Sequence, residues 1–168
     1  MLKPDAMDDA HLARLARGVG ERLLALGQTL VTAESCTGGW IAKTITDVSG
    51  SSGWFDCGMV AYSYEAKQGL LGVRPETLIR HGAVSEDTVL EMVSGALIHS
   101  GAGVGVAVTG IAGPSGGTQE KPVGTVWIAW KRRGGYPVMK QFHFDGDRDA
   151  VRRQTVVAAL DGLGEILT

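Results

Sequence analysis

Thr29-Leu-Val-Thr-Ala-Glu-Ser-Cys-Thr-Gly-Gly-Trp40 is the stretch on which the architecture turns. A short β-prone run, Thr29 to Ala33, ends at Glu34 and Ser35. Gly38 and Gly39 follow, and Trp40-Ile-Ala-Lys-Thr-Ile opens a helical pattern. A strand, a tight turn and a helix N-terminus in that order aim unpaired backbone N–H groups at whatever sits above the turn. Four polar side chains stand in it: Glu34, Ser35, Cys36 and Thr37. Such a turn suits a nucleophile with an oxyanion hole, or a phosphate. It equally suits a plain cap, with Ser35 and Thr37 closing the helix that follows.

Outward from this stretch the pattern alternates helix and strand. Before it, Leu12, Leu15, Val19, Leu23 and Leu26 recur at steps of three and four and end at Gly27, one apolar helix face. After it the helix runs to about Asp47, and Ser49 to Gly53 is a loop. A strand spans roughly Gly58 to Ser63, and a short helix spans Glu65 to Leu71. Another starts at Pro75, which suits a first helical turn, and ends at His81-Gly82. Ser85 is an N-cap, with Glu86 and Asp87 in the first turn, and Val89, Met92, Val93, Ala96 and Leu97 form the buried stripe.

Val104 to Thr109 and Val123 to Trp130 are apolar on both faces, as in strands covered on both sides. A long loop, Gly110 to Pro122, separates them. Gly134-Gly135 is a hairpin turn that sends Tyr136 to Phe144 back antiparallel. The last helix opens near Asp147 and buries Val151, Thr155, Ala159, Leu163 and Leu167. The order predicts an α/β fold, a three-layer α/β/α sandwich with a mixed, mostly parallel sheet. One domain is expected over 1–168, with residues 1–9 a flexible tail.

Composition narrows the function. A chain of 168 residues, 44% hydrophobic, is long enough for one well-buried core. Its net charge of −2, with dispersed basic residues, argues against a nucleic-acid surface. No run of about 18 apolar residues indicates a membrane span. The acidic, polar start is unlike a signal peptide. Two cysteines, Cys36 and Cys57, are too few for a disulfide framework and fit a reducing cytoplasm. His11, His81, His99 and His143 are scattered without metal-ligand spacing and read as surface or locally bonded groups, so no metal or cofactor is expected.

Three stretches could carry chemistry, each at the end of a predicted strand, where ligands of open α/β sheets bind. The first is Glu34 to Gly39. In the second, Ala61 to Lys67, Tyr62 precedes Lys67 by five residues. A lysine partly buried beside a serine has a lowered pKa and can serve as its base; the alternative is a solvated helix lysine. The third, Thr109-Gly-Ile-Ala-Gly-Pro-Ser-Gly-Gly-Thr118, lacks the Gly-Lys-Ser/Thr of a P-loop, which counts against a phosphotransferase. Its glycines either let the backbone approach a ligand or make a surface loop.

Several long motifs, in order, resemble one family. They are Thr32-Ala-Glu-Ser-Cys-Thr-Gly-Gly, Val60-Ala-Tyr-Ser with Lys67, and His81-Gly-Ala-Val-Ser-Glu. Further on come Val108-Thr-Gly-Ile-Ala-Gly-Pro-Ser-Gly-Gly-Thr, Lys121-Pro-Val-Gly-Thr-Val, and Gly146-Asp-Arg with Arg152. They resemble the CinA C-terminal domain family, whose stand-alone members are PncC-type nicotinamide mononucleotide deamidases. The resemblance covers nearly all of the chain after Leu12. It implies an amidohydrolase of pyridine nucleotide salvage, converting nicotinamide mononucleotide and water to nicotinate mononucleotide and ammonia. A nucleotide-binding module with little or no turnover is the alternative. The resemblance and the residues together make Ser35 the nucleophile, Lys67 its base and Tyr62 the group that relays or orients the proton. Backbone N–H groups around Thr37 and Gly38 are the expected oxyanion donors. Glu34, Thr109, Gly110 and Gly113 are expected at the substrate, and Arg148 at its phosphate. Cys36 is a rival nucleophile, but adjacent residues of a tight turn point apart. Tyr64 stands where the family commonly has asparagine, a departure that bears on how the lysine or the carboxamide is held. A homo-oligomer is expected.

Overall fold

The computed structural model describes residues 7–168. In chain order the elements are α1 (Asp9–Leu26), β1 (Leu30–Glu34), α2 (Trp40–Thr46), β2 (Phe55–Val60), α3 (Tyr64–Leu71), α4 (Pro75–His81), α5 (Glu86–Ile98), β3 (Val104–Gly110), β4 (Thr125–Arg132), β5 (Val138–His143) and α6 (Arg148–Ile166). The five-stranded sheet has the order β2-β1-β3-β4-β5. β2, β1 and β3 are mutually parallel, and β4 is antiparallel to both β3 and β5. Every strand but β4 therefore runs the same way. The sheet is mixed and mostly parallel in direction, as the strand pattern predicts.

Helices cover both faces. Leu30, Val104, Val106 and Val108 pack with α1, α2 and α6, while Val31, Ala33 and Ala107 pack with α4 and α5. This alternation is the period-2 geometry of a strand buried on both sides. The two clusters lie on opposite faces of the sheet, and β1 and β3 are wholly covered save Gly110.

Several boundaries differ from the sequence reading. β2 begins at Phe55, not Gly58, and ends at Val60, so Ala61-Tyr62-Ser63 are loop rather than strand. β2 is an edge strand whose residues alternate between half-buried and exposed, and parallel pairing with β1 sets its register. An apolar-run criterion misplaces such a strand. β4 begins at Thr125, after Gly124 at φ 93°, and β5 begins at Val138. On α1, Leu26 is exposed, and Ala16 and Gly20 are buried in its stead. The expected tail over 1–9 falls largely on residues 1–6, outside the described residues. Asp8 caps α1 by accepting from the His11 N–H at 2.8 Å, and Arg153 pairs with Asp9 at 2.7 Å, so these two residues belong to the fold.

Gly162 on α6 shows how closely that helix meets the sheet. Its Cα lies against the indole of Trp130, whose Nε1 donates to the Ala159 carbonyl at 2.9 Å. A methyl at Gly162 would fall within that ring. Gly162→Ala should therefore lower stability by about 1–3 kcal/mol, the usual cost of overpacking a close-packed core, despite alanine's better helix propensity. Urea unfolding checks this: the midpoint should fall at unchanged slope, and an unchanged midpoint would refute the packing argument.

Candidate active site

Parallel pairing brings the C-terminal ends of β1, β2 and β3 to one edge of the sheet. At that edge β1 separates its last residues by face. Leu30 packs on the α1/α2/α6 side, so the period of two sends Thr32 and Glu34 there as well. Glu34 is fully buried and points under α2. Its Oε1 accepts from Thr37 Oγ1 at 2.6 Å and Ile41 N at 2.9 Å. Its Oε2 accepts from Ala42 N at 3.0 Å and Thr32 Oγ1 at 3.5 Å. The N-cap of α2 is Gly39, which has no side chain to offer. Glu34 does the capping instead, from the preceding strand.

This removes the plain-cap reading of the turn. Neither Ser35 nor Thr37 caps α2 with its side chain. It also corrects the expectation for Glu34: all its hydrogen bonds are internal and it does not line the cleft described below, so it holds the turn rather than the substrate.

Ser35 points the other way. Its Oγ lies 3.0 Å from Lys67 Nζ, across 32 residues of chain. Lys67 sits one turn into α3, which Ser63 caps by accepting from Ala66 N at 3.0 Å. Lys67 is only 2% exposed, which excludes a solvated helix lysine. Nζ also donates to the carbonyls of Ala61 at 3.2 Å and Tyr62 at 3.4 Å. In the neutral amine those carbonyls can take both N–H groups, leaving the lone pair for the Ser35 hydroxyl. Burial pushes the amine below its ordinary value of 10.5, and no carboxylate stands beside it to restore the charge.

Tyr62 thus meets the lysine through its main chain. Its hydroxyl lies 3.0 Å from Arg148 Nη2, on the far side of the cleft, and makes no bond to Lys67. The geometry supports an orienting role for the Tyr62 carbonyl, not a proton relay through the phenol. Tyr64, 49% exposed, lines the cleft but makes no hydrogen bond to Lys67, so the family's asparagine position is not what fixes the lysine here.

The turn's N–H groups divide sharply. Gly38 N donates to Ser35 O at 3.0 Å and is therefore not free, a correction to its expected role as an oxyanion donor. Among the described residues the N–H groups of Cys36 and Thr37 have no acceptor. Gly38 at φ 60° and Gly39 at φ 101° occupy the left-handed region that glycine enters without strain, which lets the chain reverse between β1 and α2. The Cys36 thiol is buried in the α1/α2/α6 cluster and pushed up to about 12, chiefly by burial and secondarily by Glu34. A thiol there stays protonated and is a poor nucleophile.

The cleft over Ser35 and Lys67 has a volume of about 240 Å³ and is lined by both residues, Tyr62, Tyr64, Arg148 and the loop after β3. Larger clefts lie between α1 and α6 and behind the Gly38–Gly39 turn, at about 460 and 470 Å³, but neither contains the Ser35–Lys67 pair. Thr109 and Gly110 line the floor, and Thr109 Oγ1 donates to Ala83 O at 2.8 Å, tying β3 to the turn before α5. Arg148 Nη1 donates to Gly113 O at 2.8 Å. Among the described residues no three His, Cys, Asp or Glu side chains converge as a metal site, and no helix is long and apolar enough to cross a membrane.

Comparison with known proteins gives the family. The profile of the CinA C-terminal domain matches residues 12–167. The chain belongs to the CinA C-terminal domain family. It is 55% identical over 157 residues to the nicotinamide-nucleotide amidohydrolase PncC of Escherichia coli K12, covering 94% of this chain and 95% of that one. It is 53% identical to the protein of the same name from Pseudomonas putida, covering 94% and 98%. Among solved structures, the competence/damage inducible protein CihA of Agrobacterium tumefaciens superposes with a TM-score of 0.90 at 45% identity, covering 99% of this chain and 98% of that one.

Within this family fold, Ala83 and Val84 line the cleft outside the three stretches that the sequence singles out, whereas Ser115 and Gly116 fall in the third of them. The first two reach the cleft only because Thr109 binds Ala83 across 26 residues, a pairing that leaves no local signal.

The buried amine has a consequence for stability. With its native value below 10.5, the unfolded chain binds more protons than the native one between the two values, so stability rises with pH across that window. Lys67→Met lacks this contribution. Urea unfolding between about pH 7 and pH 10 should show the parent gaining stability relative to Lys67→Met as pH rises. A constant difference would mean that the amine is not perturbed.

Proposed function

We propose that this chain hydrolyses the carboxamide of nicotinamide mononucleotide to nicotinate mononucleotide and ammonia. The observation that carries the reading is the buried Ser35–Lys67 pair, 3.0 Å apart, in a chain 55% identical to an enzyme named nicotinamide-nucleotide amidohydrolase. Ser35 Oγ attacks the carboxamide carbon and its proton passes to the neutral Lys67 amine. The charge on the carbonyl oxygen falls to the N–H groups of Cys36 and Thr37. Lys67 returns the proton to the departing nitrogen, which leaves as ammonia. Water then attacks the ester on Ser35, with Lys67 again as base, and the acid is released. Each proton that Lys67 takes up it gives back, so no other acid or base is needed.

The phosphate end of the same substrate suits the opposite wall. Among the described residues the N–H groups of Ala112, Gly113, Ser115 and Gly116 have no acceptor, and Arg148 stands beside them. Backbone donors grouped in this way favour an anion. We further read the chain as a cytoplasmic homo-oligomer that binds neither nucleic acid nor membrane. Free Cys36 and Cys57, the net charge of −2 and the exposed Ile79, Ile98 and Tyr136 support that reading.

Ammonia release from nicotinamide mononucleotide by the purified chain tests the activity directly. Ser35→Ala should lower kcat by about three orders of magnitude or more, while Cys36→Ala keeps most of it. Binding of the nucleotide without ammonia release would leave only a nucleotide-binding module, and a fully active Ser35→Ala would sink the mechanism. In the parent, kcat/KM should rise with pH as Lys67 deprotonates, with a midpoint below 10.5.

Arg148 can be separated from the chemistry. A charge-assisted contact to phosphate contributes about 1.5–3 kcal/mol, roughly one to two decades in affinity. Arg148→Ala should therefore raise KM for the mononucleotide and leave nicotinamide riboside unaffected, narrowing the gap between them. Equal losses on both substrates would assign Arg148 to holding Tyr62 and Gly113 rather than phosphate.

A further inference from the structure

Arg152 lies one helical turn beyond Arg148 on α6, and the reaction as written gives it no task. Its guanidinium does not face the substrate cleft. It lies behind the Ser35–Gly39 turn, where Nε donates to Cys36 O at 3.0 Å and Nη2 donates to Thr37 O at 3.2 Å. The indole of Trp40, the first residue of α2, lies 5.4 Å from its centre, and the half-buried position keeps it oriented. Two consecutive carbonyls of the nucleophile turn are thus held by one cation.

Peptide planarity carries this contact through to the opposite side of the peptide. In a trans peptide the C=O and the following N–H point in opposite directions. With Cys36 O fixed on Arg152, the Thr37 N–H must point away from the guanidinium, and with those of Cys36 and Gly39 it is one of three N–H groups of the turn, among the described residues, without an acceptor. The second carbonyl does not act in this way, because its peptide partner, Gly38 N, is already bonded to Ser35 O. A positive charge hydrogen-bonded to a carbonyl also polarises the amide and strengthens its N–H as a donor. Glu34 fixes the same residue from beneath through Thr37 Oγ1 at 2.6 Å, so the peptide is held at two points.

We propose that Arg152 is a positioning residue of the oxyanion site: through the Cys36–Thr37 peptide it aims and polarises the Thr37 N–H at the oxygen that becomes negative when Ser35 attacks. This rests on the amidohydrolase reading and deepens it. Arg153 makes a natural control. It also lies over Trp40, at 4.9 Å, but it pairs with Asp9 and Asp149 and touches no carbonyl of the turn.

The test compares nicotinamide mononucleotide with its thioamide analogue, ammonia release being read for both. Sulfur accepts hydrogen bonds weakly, so the rate advantage of the amide over the thioamide reports on the oxyanion donors. Arg152→Met, which keeps the aliphatic stem, should cut kcat on the amide by roughly 10- to 100-fold at nearly unchanged KM. On the thioamide the loss should stay below about 3-fold, so the ratio collapses. Arg152→Lys should recover part of the ratio, and Arg153→Ala should leave it at the parental value. Equal losses on amide and thioamide would make Arg152 merely structural, and a rise in KM alone would make it a substrate ligand; either overturns the proposal. Should Arg152→Met fail to fold, the ratio is read on Arg152→Lys, where a value below the parent's supports the proposal and the parental value overturns it. A parent that releases no ammonia from nicotinamide mononucleotide defeats the underlying reading itself, whereas a parent that does so with a ratio indifferent to Arg152 defeats this inference alone.

Discussion

A carboxylate shut away from water organises this molecule. Glu34 has no exposed surface, and burying a charge costs several kcal/mol unless it is well bonded. Here two backbone N–H groups at the start of α2 and the hydroxyl of Thr37 lie within 3.0 Å of its oxygens. Hydrogen bonds to charged groups contribute about 1.5–3 kcal/mol each, and the positive end of a helix adds to them. Together they are large enough to offset the burial. The result locks strand, turn and helix into one unit. It also leaves Ser35, the next residue, on the opposite face of the chain, where its hydroxyl meets Lys67.

The opposite charge is handled differently. Lys67 is as deeply buried as Glu34, but the two lie on opposite faces of β1, and no carboxylate meets the amine. Ordinary carbonyls hold Nζ at 3.2 and 3.4 Å, and these orient an amine without holding it in its charged form. Separation of the two groups by the strand is therefore chemically meaningful. Had Glu34 faced Lys67, an ion pair would have formed, and the base would have been lost at neutral pH. The alternation of a single strand keeps the acid as a structural anchor and leaves the amine reactive.

The start of α6 closes the arrangement. Arg148 and Arg152, four residues apart, lie on one face of that helix and reach two different parts of the site. Arg148 bridges the loop after β2 and the loop after β3; Arg152 grips the turn after β1. Three strand ends that have no covalent reason to stay together are thereby tied by a single helical turn. The tryptophans serve the same end by seating α1 and α6 on the core: a Cβ at Gly20 or Gly162 would overlap Trp54 or Trp130, respectively.

Much of this was legible in the chain itself. Apolar spacing marked the buried faces of α1, α5 and α6 and the two-faced runs of β3 and β4, because a strand covered on both faces and a helix covered on one leave different spacings of apolar residues. Glycine marked the reversals at Gly27 and Gly38–Gly39, because only glycine enters those backbone conformations without strain. The motifs marked Ser35 and Lys67 as partners, though not at what distance. What local pattern could not set were the edge strand β2, whose register comes from pairing with β1, and the direction of each polar side chain in the turn. The sequence reading put Glu34 at the substrate, Gly38 among the oxyanion donors and Tyr62 as the group that relays or orients the proton. Tertiary structure turned the first under α2, bonded the second to Ser35 O and drew the third to Arg148. Each of these depends on a partner outside its own strand or turn, or on which face of β1 a residue takes. Spacing along the chain records which groups are available, but hydrogen bonds between distant segments decide which remain free to react.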